Sequence, residues 1–142
     1  VGIDPSDEMR KIYSGPGIFI CSNAESYDYE PFDLAISFLT LMFVEPSKRR
    51  DYLRGLLDKC RPGGAIIIFD KLETHHGYFG TVMTRLTLAG KYEAGVDAKE
   101  IIEKELSLAG VQRPITLGQL PGIPYQWFRF GDFAGYILEK PI

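Results

Sequence analysis

Three groups of residues have types and spacing that could do chemistry. Asp4 closes the apolar run of Val1, Gly2 and Ile3, and Pro5, Ser6 and Asp7 after it start a helix carrying Met9, Ile12 and Tyr13. An acidic side chain at the carboxyl end of a strand can accept hydrogen bonds from both hydroxyls of a ribose. A plain helix cap is an equal reading of the same aspartate. Asn23 and Ala24 follow a second short apolar run, residues 18–21. The Asn23 amide is suited to an adenine amino group and the small Ala24 to a flat ring, although each is also an ordinary loop residue. His75 and His76 are the two histidines of the chain, set in a polar loop. Adjacent imidazoles point in different directions on a strand or a helix, so a shared metal is not expected. Surface imidazoles are the preferred reading, and one histidine facing a substrate is the alternative.

The elements that must position these groups are organised around residues 32–71. The apolar run 34–38 is too continuous for a strand with one wet face and predicts one covered on both sides. Glu45, Pro46 and Ser47 supply a helix start, and Leu53, Leu56, Leu57 and Cys60 recur at helical spacing. Arg61, Pro62, Gly63 and Gly64 read as the stop, before a second buried strand at 65–69. A right-handed crossover would make the two strands parallel neighbours.

The rest of the chain predicts helices at 78–91, with Phe79, Val82, Met83, Leu86 and Ala89 inward, and after Asp97, with Ile102, Leu106 and Ala109 inward. Asp97 and Glu100 have capping-box spacing. Residues 111–124, rich in proline and glycine, read as a long connection over the open end of the sheet, of the kind that often covers a substrate. Residues 125–130 and 133–139 alternate as an antiparallel pair turned at Gly131 and Asp132, with Trp127, Phe128 and Phe130 as sheet packing.

A chain of 142 residues with 45% hydrophobic content makes a single domain with a real core. A net charge of −3 with interspersed signs gives no strong field for nucleic acid, and Lys48, Arg49 and Arg50 read as a solvated helix start. Cys21 and Cys60 lack the spacing of a metal site or a redox pair and read as reduced core thiols. No apolar run approaches the roughly 20 residues that cross a bilayer, so a cytoplasmic protein is expected.

In this order the elements resemble the back portion of the class I methyltransferase fold. GIDPSDEM looks like that family's second motif, FDLAISFLTLMFV like its fourth, and CRPGGAIIIFDK like its fifth strand. The run FVEPSKRRDYLRGLLDKCRPGGAIIIFDK is similar to the carboxy-S-adenosylmethionine synthase branch, related to enzymes that serve tRNA wobble-uridine modification. The resemblance implies an α/β, Rossmann-like sheet, mostly parallel with a C-terminal antiparallel hairpin, and S-adenosylmethionine as cofactor. The family's glycine-rich first motif would fall ahead of Val1. The chain is therefore expected to be a partial domain, truncated before the second strand and inactive alone, with residues 72–124 covering the substrate site.

By the same resemblance Asp4 falls on the ribose-holding position, Met9 near the adenine with Ser6 in the same cofactor-binding motif, and Asn23 and Ala24 beside the adenine ring. Ser37 falls where the amino acid part of the cofactor meets the transferred group. Residues 87–120 do not follow the carboxy-S-adenosylmethionine synthase pattern, which makes ordinary methyl transfer to a small molecule or RNA the expected activity. If the acceptor must lose a proton, His75 and His76 are candidate bases and Lys71 an electrostatic aid. Arg85, Arg113, Tyr125 and Arg129 are candidates for recognising an anionic or aromatic acceptor. A homodimer is left open. The rival readings are a nicotinamide-dependent oxidoreductase, whose ribose Asp4 would suit equally, and a non-catalytic partner protein that keeps the fold.

Overall fold

The structure is a computed structural model that describes residues 1–74 and 77–142. His75 and His76 lie outside the described residues. Strand β1 (Gly2–Asp4) leads into α1 (Asp7–Ile12) and pairs in parallel with β2 (Phe19–Cys21). A second sheet holds β3 (Phe32–Phe38), β4 (Cys60–Lys71), β5 (Tyr125–Phe130) and β6 (Phe133–Glu139), in the order β3-β4-β6-β5. The pair β3 and β4 is parallel, with Ser37 opposite Ile68, and β6 runs antiparallel to both of its neighbours. Helix α2 (Arg49–Lys59) makes the crossover, and α3 (Gly77–Glu93) and α4 (Ala98–Ser107) precede the closing hairpin.

The core lies on one face of the larger sheet. Ile66 and Ile68 of β4 and Ala134, Tyr136 and Leu138 of β6 point to it, and Leu53 and Leu56 of α2 cover them. Each buried leucine contributes about 2 kcal/mol. The opposite face is bare. Leu34, Ile36 and Phe38 are 55%, 66% and 62% exposed, so the expectation that β3 is covered on both sides does not hold. A continuous apolar run counts apolar residues without saying how many layers cover them, and among the described residues α2 covers one face alone. On the bare face Phe69 stacks on Phe38 and on Phe133, with ring centroids 5.1 and 5.9 Å apart.

Other details depart from expectation. Helix α2 starts at Arg49, one turn after Glu45, and Arg49 is 1% exposed, which overturns its reading as part of a solvated start. Arg61 to Gly64 do not end the helix ahead of a strand; β4 already begins at Cys60, and these residues bulge where Phe32 pairs with Cys60 but Leu34 with Ala65. The bulge keeps its backbone paired, since Gly63 N donates to Lys140 O and Lys140 N to Gly64 O, both at 2.9 Å. In α3 no described residue is fully buried, and Leu86 is 60% exposed. In α4 the buried residue is Ile101, while Ile102 and Leu106 stand at 58% and 70% exposure. Both helices touch the molecule along narrower stripes than their apolar spacing suggested. Cys21 is exposed, unlike Cys60, because the short β1–β2 sheet buries no residue completely.

Candidate functional site

Strands β1 and β3 flank one groove of about 640 Å³ that runs along both of them to their carboxyl ends. Asp4, Ala24, Ser37, Phe38 and Thr40 all line it. Strands β1 and β3 are each at the edge of their sheet, so two strand edges flank the groove. Asp4 Oδ1 accepts from Ser6 N at 2.8 Å. Ser6, in turn, caps α1 by accepting from Met9 N at 3.2 Å. The capping duty thus falls on Ser6, and it leaves Asp4 with a second carboxylate oxygen for which no partner is described.

Ser37 carries the clearest unmet demand. It is 6% exposed, lies on the covered face at the end of β3, and its Oγ has no hydrogen-bond partner among the described residues. A buried hydroxyl without a partner costs about 1–3 kcal/mol, and in a groove wall it marks where a polar group can dock.

Ala24 is held to the groove from the other side. Tyr29 Oη donates to Ala24 O at 2.8 Å and lies 3.3 Å from Tyr52 Oη on α2. Burial raises the pKa of Tyr29 and, more strongly, of Tyr52, so both stay neutral donors at physiological pH. This pair ties the loop after β2 to the helix under the larger sheet. Asn23 is exposed and makes no side-chain cap, its carbonyl instead accepting from Ser26 N at 3.2 Å.

The turn after β3 is unusual. Leu39 has φ of +51°, the left-handed region that disfavours a branched side chain by about 1–2 kcal/mol. It is held because Leu39 N donates to Phe69 O at 2.8 Å and Leu41 N to Asp70 Oδ2 at 2.8 Å. Asp70 is fully buried, and desolvation raises its pKa against the opposing pull of the backbone amides of Lys71, Leu41 and Met42 and of the Arg49 charge. Sequence reasoning passed over Asp70, Thr40 and the tyrosine pair. The one available signal was an acidic residue closing the apolar run 65–69.

The remaining candidates do not line the groove. Met9 is 47% exposed on α1. Lys71 closes β4 beside Phe133 of β6, with Nζ 2.8 Å from Gln112 Oε1 and 5.7 Å from the Phe133 ring. Arg85 lies exposed on α3, Arg113 on the connection after α4, and Tyr125 and Arg129 on the edge strand β5. The connection itself is anchored rather than loose: Ile115 is 0% exposed and bridges Leu72, and Arg113 N donates to Met42 O at 2.8 Å. Among the described residues no group of three or more His, Cys, Asp or Glu could hold a metal, and no helix is long and apolar enough to cross a membrane.

A family profile described as a methyltransferase domain matches residues 1–68, the part that carries β1 to β4 and the groove. Curated relatives named carboxy-S-adenosyl-L-methionine synthase include that of Helicobacter hepaticus, 27% identical over 149 residues, covering 92% of this chain and 62% of the relative. The Staphylococcus epidermidis protein of that name is 25% identical with 99% and 67% covered, and the Pseudomonas aeruginosa one 31% identical with 78% and 48% covered. Together these similarities support a class I S-adenosylmethionine-dependent methyltransferase. The fold is also that of a crystal structure of the S-adenosylmethionine-dependent methyltransferase SibL in its apo form, at TM-score 0.51 and 11% identity, covering 87% of this chain and 36% of SibL. The α/β fold expected from the sequence is present, with parallel pairs β1–β2 and β3–β4 and the antiparallel closing hairpin. It spans about three-fifths of the length of the Helicobacter hepaticus relative.

Proposed function

We propose that this chain supplies the ribose-binding and transfer edges of an S-adenosylmethionine site that moves a methyl group to a small molecule or RNA. The observation that carries the reading is that Asp4 and the unpartnered Ser37 hydroxyl, from two different sheets, face one groove at the carboxyl ends of their strands. Ligands of open α/β sheets bind at such ends. Asp4, with one oxygen free of Ser6, would accept from the ribose, and Ala24 would flank the adenine. Ser37 would meet the amino acid part of the cofactor. Methyl transfer from a sulfonium is an in-line displacement, so the chain's task is to hold the reactants in line and exclude water. Lys71, held by Gln112, would contribute charge rather than take a proton.

Calorimetry on the full-length protein tests this. S-adenosylmethionine should bind, and Asp4→Ala should weaken it by about tenfold, the loss of one charge-assisted hydrogen bond. Unchanged affinity removes the ribose assignment.

The shared name of the relatives favours a second reading, synthesis of the carboxylated cofactor. Mass spectrometry of the nucleoside released from the purified protein separates the two, since only the second reading yields a carboxylated product.

A further inference from the structure

Among the described residues Leu39 is the only non-glycine residue with positive φ. A side chain keeps that conformation only where its surroundings over-determine it. Phe38 and Thr40, its two neighbours, both line the groove. Any relaxation of Leu39 would therefore re-aim both walls at once. Leu39 N to Phe69 O at 2.8 Å continues the backbone pairing with β4, and Thr40 Oγ1 to Phe38 O at 3.1 Å closes the turn on itself. The third contact is a side chain of β4. Thr40 stands at the N-cap of the 3-10 turn Leu41–Phe43 without a side-chain cap, and the Asp70 carboxylate accepts from Leu41 N, the first amide of that turn. Where the backbone ladder between β3 and β4 ends at Phe69, a side chain adds one more rung.

Asp70 accepts with both oxygens, the other taking Lys71 N at 2.9 Å, and is fully buried without a described ion-pair partner. A fully buried carboxylate is costly, and here it binds backbone amides at the end of β4 and at the start of the turn after β3. We infer that Asp70 is a positioning residue for the transfer step, fixing the strained turn 39–41 and through it the groove positions of Phe38 and Thr40. The inference rests on the methyl-transfer reading above.

The test uses the full-length protein, S-adenosylmethionine and an acceptor it methylates. In Asp70→Ala, kcat should fall by about tenfold or more while KM for S-adenosylmethionine moves by less than about threefold, because the ribose edge is untouched. Exchange of the Leu41 amide should quicken by about tenfold or more. Leu39→Gly added to that variant should return kcat to within about threefold of wild type, since glycine takes positive φ without strain. A kcat unchanged in Asp70→Ala overturns the inference. So does a lost kcat that Leu39→Gly fails to restore, which would leave Asp70 a general support of the core. Should Asp70→Ala not fold, Asp70→Leu keeps the volume without an acceptor, and a wild-type kcat there overturns the inference equally. If the wild-type protein neither binds S-adenosylmethionine nor methylates, the functional reading falls and takes the catalytic part of this inference with it. Protection of the Leu41 amide still decides the grip itself, and undiminished protection in Asp70→Leu overturns that.

Discussion

Arg49 and Asp70, oppositely charged and 1% and 0% exposed, grip the same turn from opposite sides without a described hydrogen bond between them. Asp70 holds Leu41 N. Arg49 reaches Met42 O at 3.5 Å and donates to Val44 O, Arg113 O, Pro114 O and Gln119 Oε1. Burial lowers the guanidinium's pKa while the Asp70 charge raises it, so the two ions support each other through space.

Arg49→Lys should be strongly destabilising although it keeps the charge. A lysine has three donors on a flexible stem and cannot span carbonyls on both the helix start and the connection after α4. A loss of about 3 kcal/mol is expected in urea unfolding at neutral pH. A loss below about 1 kcal/mol would mean that water replaces the guanidinium without cost.

Asp70 should give the protein a distinctive pH dependence. Its folded pKa is raised, mainly by desolvation, so the folded state binds the proton more tightly than the unfolded chain. That contribution to stability is complete below the ordinary aspartate pKa and is lost as pH rises through the folded value. Asp70→Asn cannot titrate. The stability difference between wild type and Asp70→Asn, followed by urea unfolding from pH 3 upward, should therefore shift in favour of the asparagine variant as pH rises. A difference independent of pH would contradict the raised pKa.

Lys91 and Glu105 join α3 to α4 at 2.8 Å, and the hydrogen bond from Lys91 lowers the Glu105 pKa. Stability from this pair is present above the ordinary glutamate pKa and is lost as pH falls through the lower folded value. Both side chains are about a third exposed, so solvent screening keeps the effect under about 1 kcal/mol. Lys91→Met should flatten the acid limb of the stability curve by that amount, and an unaltered limb would show that the pair contributes nothing.

Gly64→Ala should cost more than Gly63→Ala. A Cβ on Gly64 would stand 2.5 Å from Asp33 O and 2.7 Å from Cys60 Sγ, so the β3–β4 bulge must open, at about 2–3 kcal/mol. Gly63 needs its φ of +78° but has room, and alanine there costs about 1 kcal/mol. The reverse order in thermal unfolding would place the strain in φ rather than in close approach.

The sequence was most legible where local chemistry and tertiary packing agree. The closing hairpin fell at Tyr125–Phe130 and Phe133–Glu139 because alternation and a Gly-Asp turn specify both strands and the join. Asp97 caps α4 through Lys99 N and Glu100 N as its spacing foretold. Of the candidate site residues, Asp4, Ala24 and Ser37 line one groove. The supports of that groove were not legible. Asp70 and Arg49 work through partners 29 and 64–70 residues away, and no local pattern encodes a contact made across strands and loops. The inward faces assigned to α3 and α4 failed for a related reason, because apolar spacing defines a stripe without saying what will cover it.

The place of β6 between β4 and β5 sets the order in which the molecule can be finished. Ala65 pairs with Glu139 and Lys71 with Phe133, so the central strand waits for partners 74 and 62 residues downstream. Closing such long loops costs entropy before any contact rewards it, and topologies of this kind fold slowly. During synthesis β3, α2 and β4 leave the ribosome with Ile66 and Ile68 lacking their cover from Tyr136 and Leu138. Strand β6 seals a part of the core made well before it, which leaves that apolar surface uncovered until residues 133–139 arrive.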